Sequence, residues 1–302
     1  MCERRIVSFK RGFARYEFAL EPGRKTISRK VKSGLIDSIV ESITQGPDQR
    51  SMAEIAESPS SVEPGGKPLL SGLFAFSSGK KVTEGNAGRF AQKMVRNRLT
   101  KWETRDSDGR MRVIASVTIP MIPDHLLERA RKYEEIVKRQ ARRQALSPEL
   151  VFSIIETESY FNPRARSPAP AFGLMQLVPV TGGLEAYRMV YGENKPPSEK
   201  LLYQPEENVT LGSAYFHRLY FTYMEGIKDD MARLWCAIAS YNIGPYNLYR
   251  TFSDKGKSAA VRRINSMSSE KVFHFLINHL PSRQTQEYLS EIRKNISKYE
   301  SL

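Results

Sequence analysis

The stretch SPELVFSIIETESYFNP, residues 147–163, decides the fold of the chain's second half. Ser147 is placed to cap a helix, Pro148 fits its first turn, and Glu149 favours the positive end of the helix dipole. Pro163 closes the segment, because a proline keeps the residue before it, here Asn162, out of the helical region. At about 100° per residue, Leu150, Val151, Ile154 and Ile155 share one side. Glu158 stands one turn beyond Ile154 and two turns beyond Leu150, in the middle of that apolar side. Glu156 falls opposite and is expected to be solvated. A carboxylate on a buried side is costly when charged, so its pKa should rise. A raised pKa suits a general acid working near neutral pH. The alternative is that Glu158 pairs with a basic residue in the core, and the helix by itself does not choose between the two.

Downstream, a loop runs through Ser167, Pro168 and Pro170 to Gly173. In GLMQLVPVT, residues 173–181, the amide of Gln176 sits among Leu174, Met175, Leu177 and Val178. Once buried, such a group needs a partner. The run LWCAIASYNIGPYN, residues 234–247, ends a hydrophobic helix at Tyr241 and Asn242, and Cys236 within it reads as a small core residue.

Upstream, Leu126, Leu127, Ala130, Tyr133, Ile136 and Val137 form an apolar stripe at helical spacing after Asp124, a candidate N-cap. Its other side is rich in Arg and Lys and reads as a solvated face. Before Pro123 the pattern is mixed. Arg5 to Leu20 suits one or two strands, 26–45 a helix, and 69–76 a strand. Residues 87–102 suit a basic helix and 111–121 another strand. Residues 46–68, rich in Pro, Gly, Ser and Glu, read as a loop or linker. The expected fold class is α+β, with a small N-terminal α+β domain over residues 1–122 and an all-helical domain over 123–302.

The 302 residues carry 47 Lys and Arg against 33 Asp and Glu, a net charge of +14. Such a surface attracts polyanions: nucleic acid, anionic lipid or an anionic wall polymer. The two cysteines, Cys2 and Cys236, are too few and too far apart for a disulfide framework or a zinc site. Cys2 is either an incidental thiol or a lipidation site. Residues 1–20 contain no continuous apolar segment, so a signal for export would lie outside this chain.

Several segments together resemble the soluble-lytic-transglycosylase superfamily, whose catalytic domain is lysozyme-like and helical. They are Glu158-Ser159, Phe161-Asn162-Pro163, Ala165 and Ser167, Gly173-Leu174-Met175-Gln176, Pro179 and Thr181, Asn208, Gly212, Tyr215-Phe216 and Ser240-Tyr241-Asn242. The tail, from Tyr249 through Glu287-Tyr288-Leu289, is similar to the membrane-bound lytic transglycosylase C branch, and the N-terminal region is more weakly so. The resemblance implies that Glu158 is the catalytic acid and base. It implies that Ser167, Met175, Gln176, Tyr241 and Asn242 line the cleft, orient the acid and hold the sugar. The chain departs from the usual pattern at Pro170-Ala171 and at Ile243-Gly244-Pro245, which leaves the substrate-loop details open.

Most glycosidases use two carboxylates, and the recognised segments supply one. The reaction implied by the resemblance needs only one: Glu158 protonates the leaving oxygen of the MurNAc–GlcNAc bond, then draws the proton from the sugar's own C6 hydroxyl, giving a 1,6-anhydro product. Tyr241 and Gln176 would fix Glu158 and the N-acetyl group. No metal or cofactor is called for. The expected partner is the peptidoglycan glycan strand, with outer-membrane association through a lipid on Cys2, a periplasmic location, and no nucleic-acid partner. A hydrolase of the same fold would need a second acid across the cleft. A non-enzymatic binder of wall or nucleic acid would rest on charge alone, and no helix-turn-helix or zinc pattern supports it.

Overall fold

The computed structural model describes residues 5–10, 12–20, 27–45, 68, 70–105, 109 and 111–302. Cys2 and nearly all of the 46–68 segment lie outside the described residues. The chain divides into two compact units, Met1–Lys132 and Tyr133–Leu302.

The first unit is a four-stranded antiparallel sheet with helices on one face. Strands β1 (Arg5–Lys10) and β2 (Phe13–Ala19) form a hairpin, followed by helices α1 (Arg29–Thr44) and α2 (Ala87–Arg98) and strands β3 (Leu99–Arg105) and β4 (Met111–Pro120). The strand order is β1-β2-β4-β3. Alternation along β2 and β4 sends Ala14, Tyr16, Phe18, Ala115, Val117 and Ile119 inward. There they meet Leu35, Ile39 and Ile43 of α1 and Phe90, Ala91 and Val95 of α2 in one core. Two expectations are corrected here. Residues 70–76 form turns rather than a strand: Leu70, Leu73 and Phe74 are buried, but Gly72 takes φ +76°, which breaks the extended run. The helix from Ala87 stops at Arg98, because Leu99 turns extended and pairs with Val117.

The stripe after Asp124 is also split. Helix α3 (His125–Arg131) ends before Tyr133, and α4 (Glu134–Arg143) starts after it. Helix α3 is bound to the first unit: Lys81 donates to Glu128 at 2.8 Å and Lys132 to the Pro68 carbonyl at 2.7 Å.

The second unit is helical: α4, α5 (Pro148–Ser159), α6 (Leu184–Tyr191), α7 (Glu199–Leu202), α8 (Pro205–His217), α9 (Asp230–Ile243), α10 (Pro245–Phe252), α11 (Lys257–Asn265), α12 (Ser269–His279) and α13 (Arg283–Asn295), then a last turn Ile296–Tyr299. Helix α5 begins as its sequence dictates, with Ser147 accepting from the Leu150 N–H at 3.2 Å. It ends three residues earlier than Asn162, because Tyr160 and Phe161 take φ of +51° and +60°. Two successive left-handed non-glycine residues are strained, and the surroundings must hold them. Helix α5 is the central helix: Leu150 through Glu156 are all buried. Glu156 is therefore not solvated, contrary to the periodicity reading. The C-terminal turn covers the face that an isolated helix would show to water.

Candidate active site

The site is built around the loop that follows α5. Gly173 takes φ +80° and Gln176 φ +47°, so the chain turns tightly between Phe172 and Leu177, whose backbones pair at 3.0 and 3.1 Å. Gly173 has no room for a side chain. A Cβ there would stand 2.2 Å from the Leu202 carbonyl oxygen and 2.3 Å from Asn208 Nδ2.

Side chains from three helices satisfy the polar backbone of this loop. Asn208 of α8, fully buried, accepts from the Met175 N–H at 2.7 Å and donates to the carbonyls of Phe172 and Leu202 at 2.9 and 2.8 Å. Ser159, the last residue of α5, donates to the Leu174 carbonyl at 2.7 Å. The Tyr241 hydroxyl of α9 donates to the Met175 carbonyl at 2.8 Å. Gln176 donates to the Ala165 and Gly173 carbonyls at 3.0 and 2.9 Å, which supplies the partner its apolar setting required. The loop is thereby fixed to the end of α5, next to Glu158.

Glu158 is half-buried, closely surrounded by protein yet reached by solvent on one side. Burial pushes its carboxyl up to about 8, and the Tyr288 hydroxyl beside it pulls the other way. Neither a cation nor a second carboxylate contributes to this shift among the described residues. Tyr288, on α13, is itself buried, and its hydroxyl lies beside Glu158 without a protein partner in good hydrogen-bonding geometry. The nearby Tyr241 and Tyr288 hydroxyls are held well above the ordinary phenol range by burial and by the Glu158 charge. The arrangement is a carboxyl that burial favours in its neutral form, open on one side.

Comparison with known proteins fits this arrangement. The transglycosylase SLT domain family matches residues 135–263, and the membrane-bound lytic murein transglycosylase C N-terminal domain family matches residues 16–132. A membrane-bound lytic murein transglycosylase C of Edwardsiella ictaluri is 34% identical over 267 residues, covering 88% of this chain and 72% of its own. One from Yersinia pestis is 34% identical over 270 residues, covering 88% and 73%. The chain belongs to the membrane-bound lytic murein transglycosylase C family. Among solved structures, the lytic transglycosylase Slt of Pseudomonas aeruginosa aligns over 56% of the chain at 25% identity and TM-score 0.43. The 70 kDa soluble lytic transglycosylase of Escherichia coli aligns over 59% at 22% identity and TM-score 0.44. The chain spans about a quarter of each of those longer proteins, 24% and 26%.

Within this transglycosylase the residues singled out by sequence take distinct places. Tyr241, packed against Tyr215 and Phe216, and Gln176 fix the loop through its carbonyls. The Met175 side chain is fully buried and lies over Gly212, where a Cβ would be 2.4 Å from its sulfur. What Met175 offers the site is its backbone. Asn242 is exposed and accepts from Thr285 Oγ1 at 2.9 Å. Ser167 is half-buried and donates to the Ala169 carbonyl.

Sequence reasoning gave no role to Tyr288, Thr285 or Asn208. Asn208 carried a signal, a lone amide within the helical run NVTLGSAYF. Tyr288 carried only its place in the Glu287-Tyr288-Leu289 tail. Cys236 is buried and free, as its apolar run suggested.

Proposed function

We propose that this lytic murein transglycosylase cuts the β-1,4 bond between MurNAc and GlcNAc with Glu158 as its single general acid and base, leaving 1,6-anhydro-MurNAc ends. The observation that supports this is the Glu158 carboxyl, raised to about 8 by burial and without a counter-ion among the described residues. At neutral pH it holds a proton. It gives that proton to the glycosidic oxygen as the bond to C1 breaks. The carboxylate it becomes is stabilised by the Tyr288 hydroxyl, which favours the charged form. It then takes the proton from the C6 hydroxyl of the same sugar as that oxygen closes on C1. The nucleophile is part of the substrate, so no bound water has to be positioned. Gln176, Met175, Tyr241, Asn242 and Ser167 shape and line the groove in this reading, with Tyr241 and Gln176 setting the loop against which the N-acetyl group rests.

The test is digestion of purified sacculi with product masses read by mass spectrometry. Anhydro-muropeptides are expected from the parent and none from Glu158→Gln. Reducing-end products, or clearing by Glu158→Gln at the parental rate, would overturn the assignment.

The relatives are named membrane-bound, while no described helix is long and apolar enough to cross a bilayer. We place the enzyme in the periplasm, held at the outer membrane by a lipid on Cys2. Incorporation of labelled fatty acid that is lost in Cys2→Ser tests this, and an unlabelled parent refutes it. The net charge of +14 suits an anionic wall or membrane surface.

A further inference from the structure

The helix that carries Glu158 bears a second carboxylate two residues earlier, on nearly the opposite side. Glu156 is 6% exposed. Both of its oxygens lie 3.0 Å from Lys298 Nζ, and it accepts from the Tyr299 hydroxyl. Lys298 and Tyr299 belong to the last turn, Ile296–Tyr299, which continues directly from α13. The Tyr299 ring, 1% exposed, stacks on Phe152 at 5.2 Å and meets Phe161 edge-on at 6.0 Å. Phe161 is one of the two left-handed residues that end α5. One C-terminal segment therefore grips the helix from behind at Glu156 and at its strained end. The same segment places Tyr288 in front, beside Glu158, and Thr285 on Asn242. The gripping residues, Thr285, Tyr288, Lys298 and Tyr299, lie beyond residue 263, where the SLT match ends.

A buried ion pair is weak evidence for stability, because desolvation offsets its attraction. What it fixes is one arrangement of the groups it joins. A side-chain tip stands about 5–6 Å from a helix axis, so turning the helix by about 10° moves the tip by about 1 Å. A displacement of that size can cost about 100-fold in rate.

We propose that Glu156, Lys298 and Tyr299 are positioning residues that set the rotation and the carboxy-terminal end of α5, so that the Glu158 carboxyl meets the scissile oxygen. This rests on Glu158 being the acid. The test compares Tyr299→Phe, which keeps the ring and removes only the hydroxyl, with Glu156→Gln and the double variant, on soluble glycan-strand fragments. Each single change is expected to lower kcat by about 10-fold with KM unchanged, since binding surfaces are untouched and only the reacting geometry shifts. The double variant is expected to lose no more than either single, about 10-fold rather than about 100-fold, because the two act as one unit. If Glu156→Gln does not fold, Lys298→Met, at a partly solvent-facing side chain, serves in its place. Parental kcat in Tyr299→Phe, multiplying losses in the double variant, or a loss that matches the fraction of unfolded protein would each overturn the inference. Glu158→Gln runs alongside. If it is active, the acid assignment fails; if it is dead while Tyr299→Phe turns over normally, only the positioning role fails.

Discussion

Replacing Glu158 by Gln should make the protein inactive yet more stable in alkaline buffer, and the size of the effect follows from the site. The folded carboxyl titrates at about 8 against an ordinary value of 4.5. Between those two values the native state binds a proton that the unfolded chain has released, so stability must fall as pH rises through the window. The full conversion, at about 1.36 kcal/mol per tenfold, gives about 5 kcal/mol above pH 8. Because one side of the group reaches water, we discount this to about 2–3 kcal/mol. Gln is neutral at every pH and nearly the same shape, so it escapes the penalty. At pH 4 or below, where Glu158 is protonated folded and unfolded alike, the two proteins should melt together. At pH 9 the variant should melt roughly 5–10 °C higher, the shift such a free energy makes in a unit of this size. Thermal unfolding of both proteins from pH 4 to 9 reads the difference directly. Parallel curves across that range would show that Glu158 is not held neutral by burial, and the argument for it as the acid would go with it.

Tyr288→Phe removes the group that favours the Glu158 carboxylate. The alkaline limb of the rate profile should therefore move above about 8, and a move to lower pH would contradict the assignment. Asn208→Ala leaves the Met175 N–H and the Leu202 carbonyl buried without partners and takes one of two hydrogen bonds from the Phe172 carbonyl, which keeps the Leu177 N–H. At about 1–3 kcal/mol for each orphaned group, urea unfolding should register a loss of about 2 kcal/mol or more. Gly173→Ala drives a methyl to within 2.2 Å of backbone at a positive φ; it should abolish activity and lower the melting midpoint, whereas Gly192→Ala, with open space around it, should show only the smaller cost of a left-handed alanine.

Local chemistry made the Ser147 cap, the β4 strand and the burial of Cys236 legible in the sequence, because each rests on neighbours along the chain. Glu158 was legible for the same reason, standing in phase with Leu150 and Ile154. The reading failed where a distant segment decides. Glu156 follows helical periodicity to the outside of α5, but Tyr299, 143 residues later, covers it. No periodicity argument contains that partner. Gly72 and Leu99 failed differently. An apolar run hid a left-handed turn at the first, and strand pairing with Val117 outbid helix propensity at the second. Tyr288 was invisible because an aromatic on an amphipathic helix is usually core, and only the fold shows that its hydroxyl faces a carboxyl.

If Glu158 is the acid proposed above, its contrast with Glu156 shows what suits a carboxyl to that role. Basic residues exceed acidic ones by fourteen, so a cation within reach is the common fate of a glutamate here. Glu128, Glu134, Glu185, Glu206 and Glu287 all have one, as does Glu156. A cation beside a carboxyl favours its charged form, as Lys81 does at Glu128, whose carboxyl it holds below the ordinary range. Glu158 is surrounded instead by Tyr241, Tyr288 and the backbone of a loop whose carbonyls are already occupied by Ser159, Gln176 and Tyr241. The Tyr241 hydroxyl is committed to the Met175 carbonyl, but the Tyr288 phenol can donate to the carboxylate after the proton has left without forcing it to leave beforehand. In the proposed mechanism, the lack of a cation beside Glu158 among the described residues is what lets the same group act first as acid and then as base.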